Sequence, residues 1–199
     1  MAEQTLKEKT AKGLFWGGLS NGVQQVLNLV FGLMLARILD ASDYGMVGML
    51  AIFSAIASTI QESGFTAALT NQKEIRHEDY NAVFWFSTLT GVSFYLILFF
   101  CAPLIAQFYD KPELIGLSRI VFLSFLFGGF GIASNAYMFK TLMVKERAKI
   151  DIISLICSGT IGVLLALNGF AYYGLAIQTT AYIGIGSMLK FCYSPCTPT

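Results

Sequence analysis

The sequence predicts an all-α integral membrane protein of six transmembrane helices with short loops and both termini cytoplasmic. Three observations carry this expectation. The chain is 55% hydrophobic and only 13% charged, with a mean hydropathy of +0.64, whereas average soluble domains carry about twice that charge. Apolar runs of roughly 16–25 residues recur along its whole length, close to what a helix needs to cross a bilayer's hydrocarbon core. The cations also fall on alternate connections: Lys7, Lys9 and Lys12; Lys73 and Arg76; Lys140, Lys145, Arg147 and Lys149; and Lys190. Only Arg37, Lys111 and Arg119 lie on the other side. Short cytoplasmic segments are the ones enriched in Lys and Arg. The formal net charge of +1 gives no bulk attraction to nucleic acid.

Residues 1–13 read as a cytoplasmic amphipathic N-terminus, 14–192 as a six-helix transmembrane lobe, and 193–199 as a cytoplasmic tail. The first span, 14–36, reads LFWGGLSNGVQQVLNLVFGLMLA and would be about 34 Å long as a helix. It is too long for the apolar core of a signal peptide and further spans follow it, so it reads as an uncleaved first helix. Asn21, Gln24, Gln25 and Asn28 stand at i, i+3, i+4 and i+7, on one side of that helix. An amide facing hydrocarbon must find a partner or go unsatisfied, so the stripe is expected to face other helices or a wet cavity. Helix–helix adhesion and substrate lining both fit it. Gly18 with Gly22, and Gly13 with Gly17, have the small-xxx-small spacing that permits close helix approach.

A polar hinge, Arg37 to Gly45, follows, in which Asp40, Ser42 and Asp43 supply turn and capping chemistry. The second span covers about 46–70 and contains Gln61-Glu62-Ser63-Gly64. After a charged connection comes the third span, about 82–102, whose end Pro103 is expected to mark. The fourth, about 117–139, has Gly128, Gly129 and Gly131 at its centre, a pattern for close packing or flexing. The most basic segment, KTLMVKERAKID, separates it from a short fifth span at about 152–167. Asn168 and Gly169 form a tight turn before the sixth span, about 174–191.

Few residues stand out as carriers of chemistry. Glu62 places a carboxylate in a span, at an insertion cost of about 2.5–3.5 kcal/mol unless protonated, paired or hydrated. Such acids mark ion or substrate pathways, or pair structurally. Arg37 and Arg119 lie at the outer ends of their helices, where each either meets a phosphate with a bidentate fork or snorkels to headgroups. Lys145, Arg147 and Lys149 are expected to rest against anionic headgroups. His77, among Glu74, Glu78 and Asp79, has the look of a solvated loop rather than a metal site. Cys101, Cys157, Cys192 and Cys196 indicate neither a disulfide framework nor zinc. No nucleophile–base set, phosphate-cradling loop or dinucleotide fingerprint occurs, so neither an enzyme nor a bound cofactor is expected.

Several segments in order resemble one family. LARILDASDYGMVGML, GFTAALTNQKEI, NAVFWFSTLTG, APLIAQFYDKPEL, LLALNGFAYYGLAIQT and SPCTPT are similar to successive parts of bacterial polysaccharide exporters. These are the Wzx-type lipopolysaccharide and teichuronic acid exporters of the multidrug/oligosaccharidyl-lipid/polysaccharide flippase superfamily. The resemblance implies one lobe of a two-lobe flippase fold, its lobes arranged as a V around a polar cavity. It implies an undecaprenyl-pyrophosphate-linked oligosaccharide as cargo and the bacterial inner (cytoplasmic) membrane as its location. On this reading Asn21, Gln24, Gln25, Asn28, Arg37, Glu62 and Arg119 line the substrate path, and H+ or Na+ coupling is open. Membrane lipids and a missing second lobe, or a second copy of the chain, are the other partners. Family members are much longer, so a truncated chain is expected. The sequence departs from the family at Ala171-Tyr172-Tyr173 and at Cys196, where a tryptophan is common. A cation-coupled drug exporter with Glu62 as the coupling carboxylate, and a non-transporting scaffold for polysaccharide synthesis, are the rival readings.

Overall fold

The structure is a computed structural model. It describes residues 2–62, 77–141 and 143–193, with side chains described from Phe15 onward, except those of Glu62 and residues 77–79. Six helices follow one another: α1 (Ala2–Ile38), α2 (Ala41–Glu62), α3 (His77–Phe108), α4 (Leu114–Lys140), α5 (Val144–Leu167) and α6 (Ala171–Tyr193). Phe15–Ile38, Ala41–Gln61, Tyr80–Phe108, Leu114–Lys140 and Val144–Leu167 are long and apolar enough to span a membrane. α6 has the length but less apolarity. Its buried residues are Gly174, Ala176, Thr180, Gly184, Gly186 and Ser187, because it is packed between α4 and α5 and its buried side needs small residues rather than lipid-compatible ones.

The helices pack in the order α1–α5–α6–α4–α3, with α2 laid over α4, α6 and α3. The largest apolar cluster lies under α2. Met46, Leu50 and Ala57 of α2 meet Leu117, Val121, Phe122 and Phe125 of α4 and Ala176 of α6. A second cluster joins α1 to α5 through Leu35, Leu39, Val163 and Ala166. α3 and α4 cross where Gly91 and Gly129 meet: a Cβ on Gly91 would lie 2.6 Å from the Phe125 carbonyl oxygen, and one on Gly129 would lie 2.7 Å from that of Ser87. Gly131 is pressed against the Ser187 side chain of α6, so Gly129 and Gly131 of the fourth span serve close packing, while Gly128 stands only in ordinary contact.

The small-residue pattern of the first span does something else. Gly18 and Gly22 face open space, with nothing within 4 Å of a Cβ on either, and Gly17 stands only in ordinary contact with Val144. Close approach of α1 happens instead through Phe31, whose ring fills the space a Cβ on Gly159 would take. Spacing alone cannot say which face of a helix is buried.

Helix ends follow local chemistry. Only Leu39 and Asp40 separate α1 from α2, and the Asp43 carboxylate accepts the Asp40 N–H at 3.1 Å, as a third-residue acid does in a capping box. Pro103 does not end α3, which runs on to Phe108. A proline removes a single intrahelical hydrogen bond, and membrane helices tolerate it. The stop comes at Asp110, in the left-handed region at φ 53°. There the Asp110 N–H reaches the Gln107 carbonyl at 3.3 Å and the Lys111 N–H that of Ala106 at 3.0 Å, a Schellman motif. Gly169, at φ 86°, closes α5 in the same way, through Gly169 N–H to Ala166 and Phe170 N–H to Leu165, both at 3.1 Å. The basic segment expected as a connection is largely helical. α5 begins at Val144, which lengthens the short fifth span to 24 residues.

Candidate functional site

Turning about 100° per residue, α1 presents three faces. Ser20, Gln24, Phe31 and Leu35 form the ridge set against α5, with Ser20 and Leu35 buried. Val26 and Leu33, 63% and 59% exposed, lie on the opposite side. Asn21 and Asn28 flank the ridge about 40–60° away, and Gln25 stands further round.

The two flanking asparagines each enter a cleft. Gly17, Ser20, Asn21 and Gln24 of α1, Val144, Arg147, Ala148 and Asp151 of α5, and Tyr182 and Lys190 of α6 enclose a cavity of about 400 Å³. Asn28 borders a second, of about 270 Å³, with Leu155 and Ser158 of α5 and Gln178, Thr179 and Tyr182 of α6. Tyr182 lines both, so the clefts adjoin. The seven residues from Asn21 to Asn28 place them about 10 Å apart along α1.

Local structure sets the polarity of these walls. Gln24 donates from Nε2 to Ser20 Oγ at 2.9 Å, one turn back, which satisfies part of an amide on the packed ridge. Gln178 presses its side chain on Gly162, where a Cβ would come within 2.8 Å of it. At the wide end Lys190 Nζ lies 3.0 Å from Asp151 Oδ1, and Arg147 Nε lies 3.9 Å from Asp151 Oδ2. The Arg147 guanidinium also lies 6.0 Å from the centre of the Phe139 ring, and Lys145 stands 5.3 Å over Trp16. Two cations against one carboxylate leave this end with one net positive charge. The clefts therefore combine amide, hydroxyl and cationic groups, suited to a ligand with many hydroxyls and an anionic end.

Measured against the sequence expectations, the structure brings Asn21, Gln24 and Asn28 to the clefts and leaves Gln25 exposed outside both. Arg37 is exposed at the end of α1. Arg119 stacks 4.2 Å over the Phe99 ring of α3. Glu62 ends α2, but its side chain lies outside the described residues, as does that of His77. Arg147 points into the cleft wall and pairs with Asp151.

Asp151, Lys190, Tyr182 and Gln178 are site residues that the sequence reading did not single out. The i, i+4 spacing of Arg147 and Asp151, and a lone lysine in an otherwise uncharged α6, were the available signals.

The six helices of the described residues, five of them long and apolar enough to cross a membrane, define a helical, multi-pass membrane protein. Residues 34–199 match the polysaccharide biosynthesis protein family, and the chain belongs to it. Among its relatives is the lipopolysaccharide biosynthesis protein WzxC of Escherichia coli (strain K12), 27% identical over 142 residues, covering 71% of this chain and 28% of that protein. The teichuronic acid biosynthesis protein TuaB of Bacillus subtilis (strain 168) is 26% identical over 77% of this chain and 32% of its own length. The succinoglycan biosynthesis transport protein ExoT of Rhizobium meliloti (strain 1021) is 29% identical over 87% and 35%. The matched segment thus spans 28–35% of these relatives. No solved structure matches the chain significantly. The chain is thus a multi-pass bacterial membrane protein of the polysaccharide biosynthesis protein family.

Proposed function

We propose that the protein translocates an undecaprenyl-pyrophosphate-linked oligosaccharide across the cytoplasmic membrane in surface polysaccharide biosynthesis. This chain would contribute one lobe, with both termini cytoplasmic as the cation distribution indicates. A second lobe, or a second copy, would close the polar face. The observation that carries the reading is the flank of α1, where Asn21 and Asn28 face clefts walled by polar residues of α5 and α6. Amides there offer both donors and acceptors to sugar hydroxyls, while the bilayer accepts the polyprenyl tail. No covalent chemistry is required. Transport kinship comes from the family match and from relatives named for polysaccharide biosynthesis and transport.

The test is Asn21→Leu with Asn28→Leu in the full-length protein, read as surface polysaccharide in cells lacking the native copy. Export should fall at least tenfold while the protein still accumulates in the membrane. Undiminished export would remove the lining role. Dye extrusion without any polysaccharide phenotype would favour a drug exporter instead.

A further inference from the structure

The arrangement of Arg147, Asp151 and Lys190 is unbalanced in a way a simple helix–helix tie does not need. The carboxylate faces two cations from two helices, at 3.0 and 3.9 Å. Its side chain is 15% exposed, that of Lys190 16% and that of Arg147 36%. The order within α5, arginine before aspartate at i, i+4, is the less favourable one for a helix pair, so the α5–α6 contact to Lys190 dominates. Arg147 Nε lies 3.9 Å from the carboxylate, an ion pair longer than a hydrogen bond, and a guanidinium carries five N–H donors in all. The cluster opens on the cavity of about 400 Å³ that also receives Ser20, Asn21 and Gln24.

We propose that Arg147 and Lys190 form a phosphoryl-anion site in which Asp151 is a resident competitor. With the site empty, Asp151 holds the two cations in place and keeps the largely covered Lys190 from standing without a partner. A phosphate or diphosphate group brings more charge and more acceptor oxygens than one carboxylate, arranged for the fork of an arginine. It displaces Asp151 from Lys190, and Asp151 lowers the affinity enough for the anion to leave again. Phosphoryl oxygens are common to a polyprenyl diphosphate, a phospholipid headgroup and free phosphate. Taking the diphosphate of the transported lipid as the ligand rests on the function proposed above.

The experiment uses the full-length protein in phosphatidylcholine nanodiscs, titrated with inorganic pyrophosphate by calorimetry at fixed ionic strength. Asp151→Asn should bind about tenfold more tightly than wild type and Lys190→Gln about tenfold more weakly, each a shift in Kd of one decade. Nanodiscs containing phosphatidylglycerol separate the sources. Weakened pyrophosphate binding there would assign the site to phospholipid headgroups, and unchanged binding to a diphosphate. Asp151→Asn binding no more tightly than wild type would overturn the proposal, as would Lys190→Gln binding equally well. Should Asp151→Asn fail to fold, Lys190→Gln decides alone. Export lost in the asparagine double variant, with pyrophosphate binding indifferent to Asp151, would overturn this inference and leave the function standing. Undiminished export in that variant, with pyrophosphate binding dependent on Asp151, would leave the anion site and remove only the lining role of the asparagines. Surface polysaccharide unchanged in cells lacking the protein altogether would remove the function.

Discussion

The Gln61 amide of α2 donates to the Phe125 carbonyl of α4 at 3.0 Å, beside the crossing of α3 and α4 at Gly91 and Gly129. Gln61 is buried, with 4% of its surface exposed, and its Nε2 would lie 3.1 Å from a Cβ on Gly91. One side chain thus ties α2 to the close crossing of α3 and α4. Interhelical hydrogen bonds within membrane proteins contribute on the order of 0.6–1.7 kcal/mol. Gln61→Leu should therefore destabilise the full-length protein by about 1 kcal/mol, measured by SDS-induced unfolding in bicelles. No change would mean that the apolar residues of α2 hold it unaided.

Glycine substitutions should separate the packed crossings from the open face. A Cβ on Gly91 or Gly129 meets backbone oxygen, which has no rotamer to move away by. Gly91→Ala and Gly129→Ala should each cost about 1–3 kcal/mol, the range for overpacking. Gly18→Ala and Gly22→Ala meet nothing within 4 Å and should fall within about 0.5 kcal/mol of wild type. The same unfolding assay ranks all four.

The two left-handed helix stops should respond with opposite signs. Gly169, at φ 86°, has no Cβ to crowd the backbone, so Gly169→Ala should destabilise by about 1–2 kcal/mol. Asp110 adopts φ 53° with a side chain, and Asp110→Gly should be neutral or stabilising by up to about 1 kcal/mol. Thermal unfolding of the two variants side by side checks the pair, and equal signs would contradict it.

Tyr80 is fully buried, and its hydroxyl lies 2.9 Å from that of Ser134 across α3 and α4. Tyr80→Phe should cost about 1 kcal/mol, because Ser134 is left buried without that partner. Combining Tyr80→Phe with Ser134→Ala should cost less than the two single losses added, since no polar group is then stranded. Additive losses would show that the two hydroxyls do not act as a pair.

Helix number and order were legible in the sequence because apolar runs and polar breaks are properties of the chain taken one residue after another. The Asp40–Asp43 cap and the Gly169 turn were legible for the same reason. Pro103 misled, since a proline inside a membrane helix costs one bond and the real stop needed Asp110 in an unusual backbone region. The amide stripe was legible as a stripe. Its division into Gln24 on the packed ridge, Asn21 and Asn28 at the clefts, and Gln25 outside depends on where α5 and α6 lie. Asp151 and Lys190 are 39 positions apart in the sequence, and periodicity within one helix carries no information about such a pair. Gly18 and Gly22 match a packing pattern but meet no helix among the described residues, while Gly91 and Gly129, on different helices, make a close contact that no spacing within one helix shows.

The central claim is that the Asn21–Asn28 flank of α1 faces water while the opposite flank faces lipid. Single cysteines at Asn21, Asn28, Val26 and Leu33, in a full-length protein cleared of its native cysteines, test it through labelling with a small hydrophilic maleimide in native membranes. Positions 21 and 28 should label quickly and should be shielded by added lipid-linked oligosaccharide, and positions 26 and 33 should stay unlabelled. Equal labelling at all four positions, or labelling confined to 26 and 33, would contradict the account.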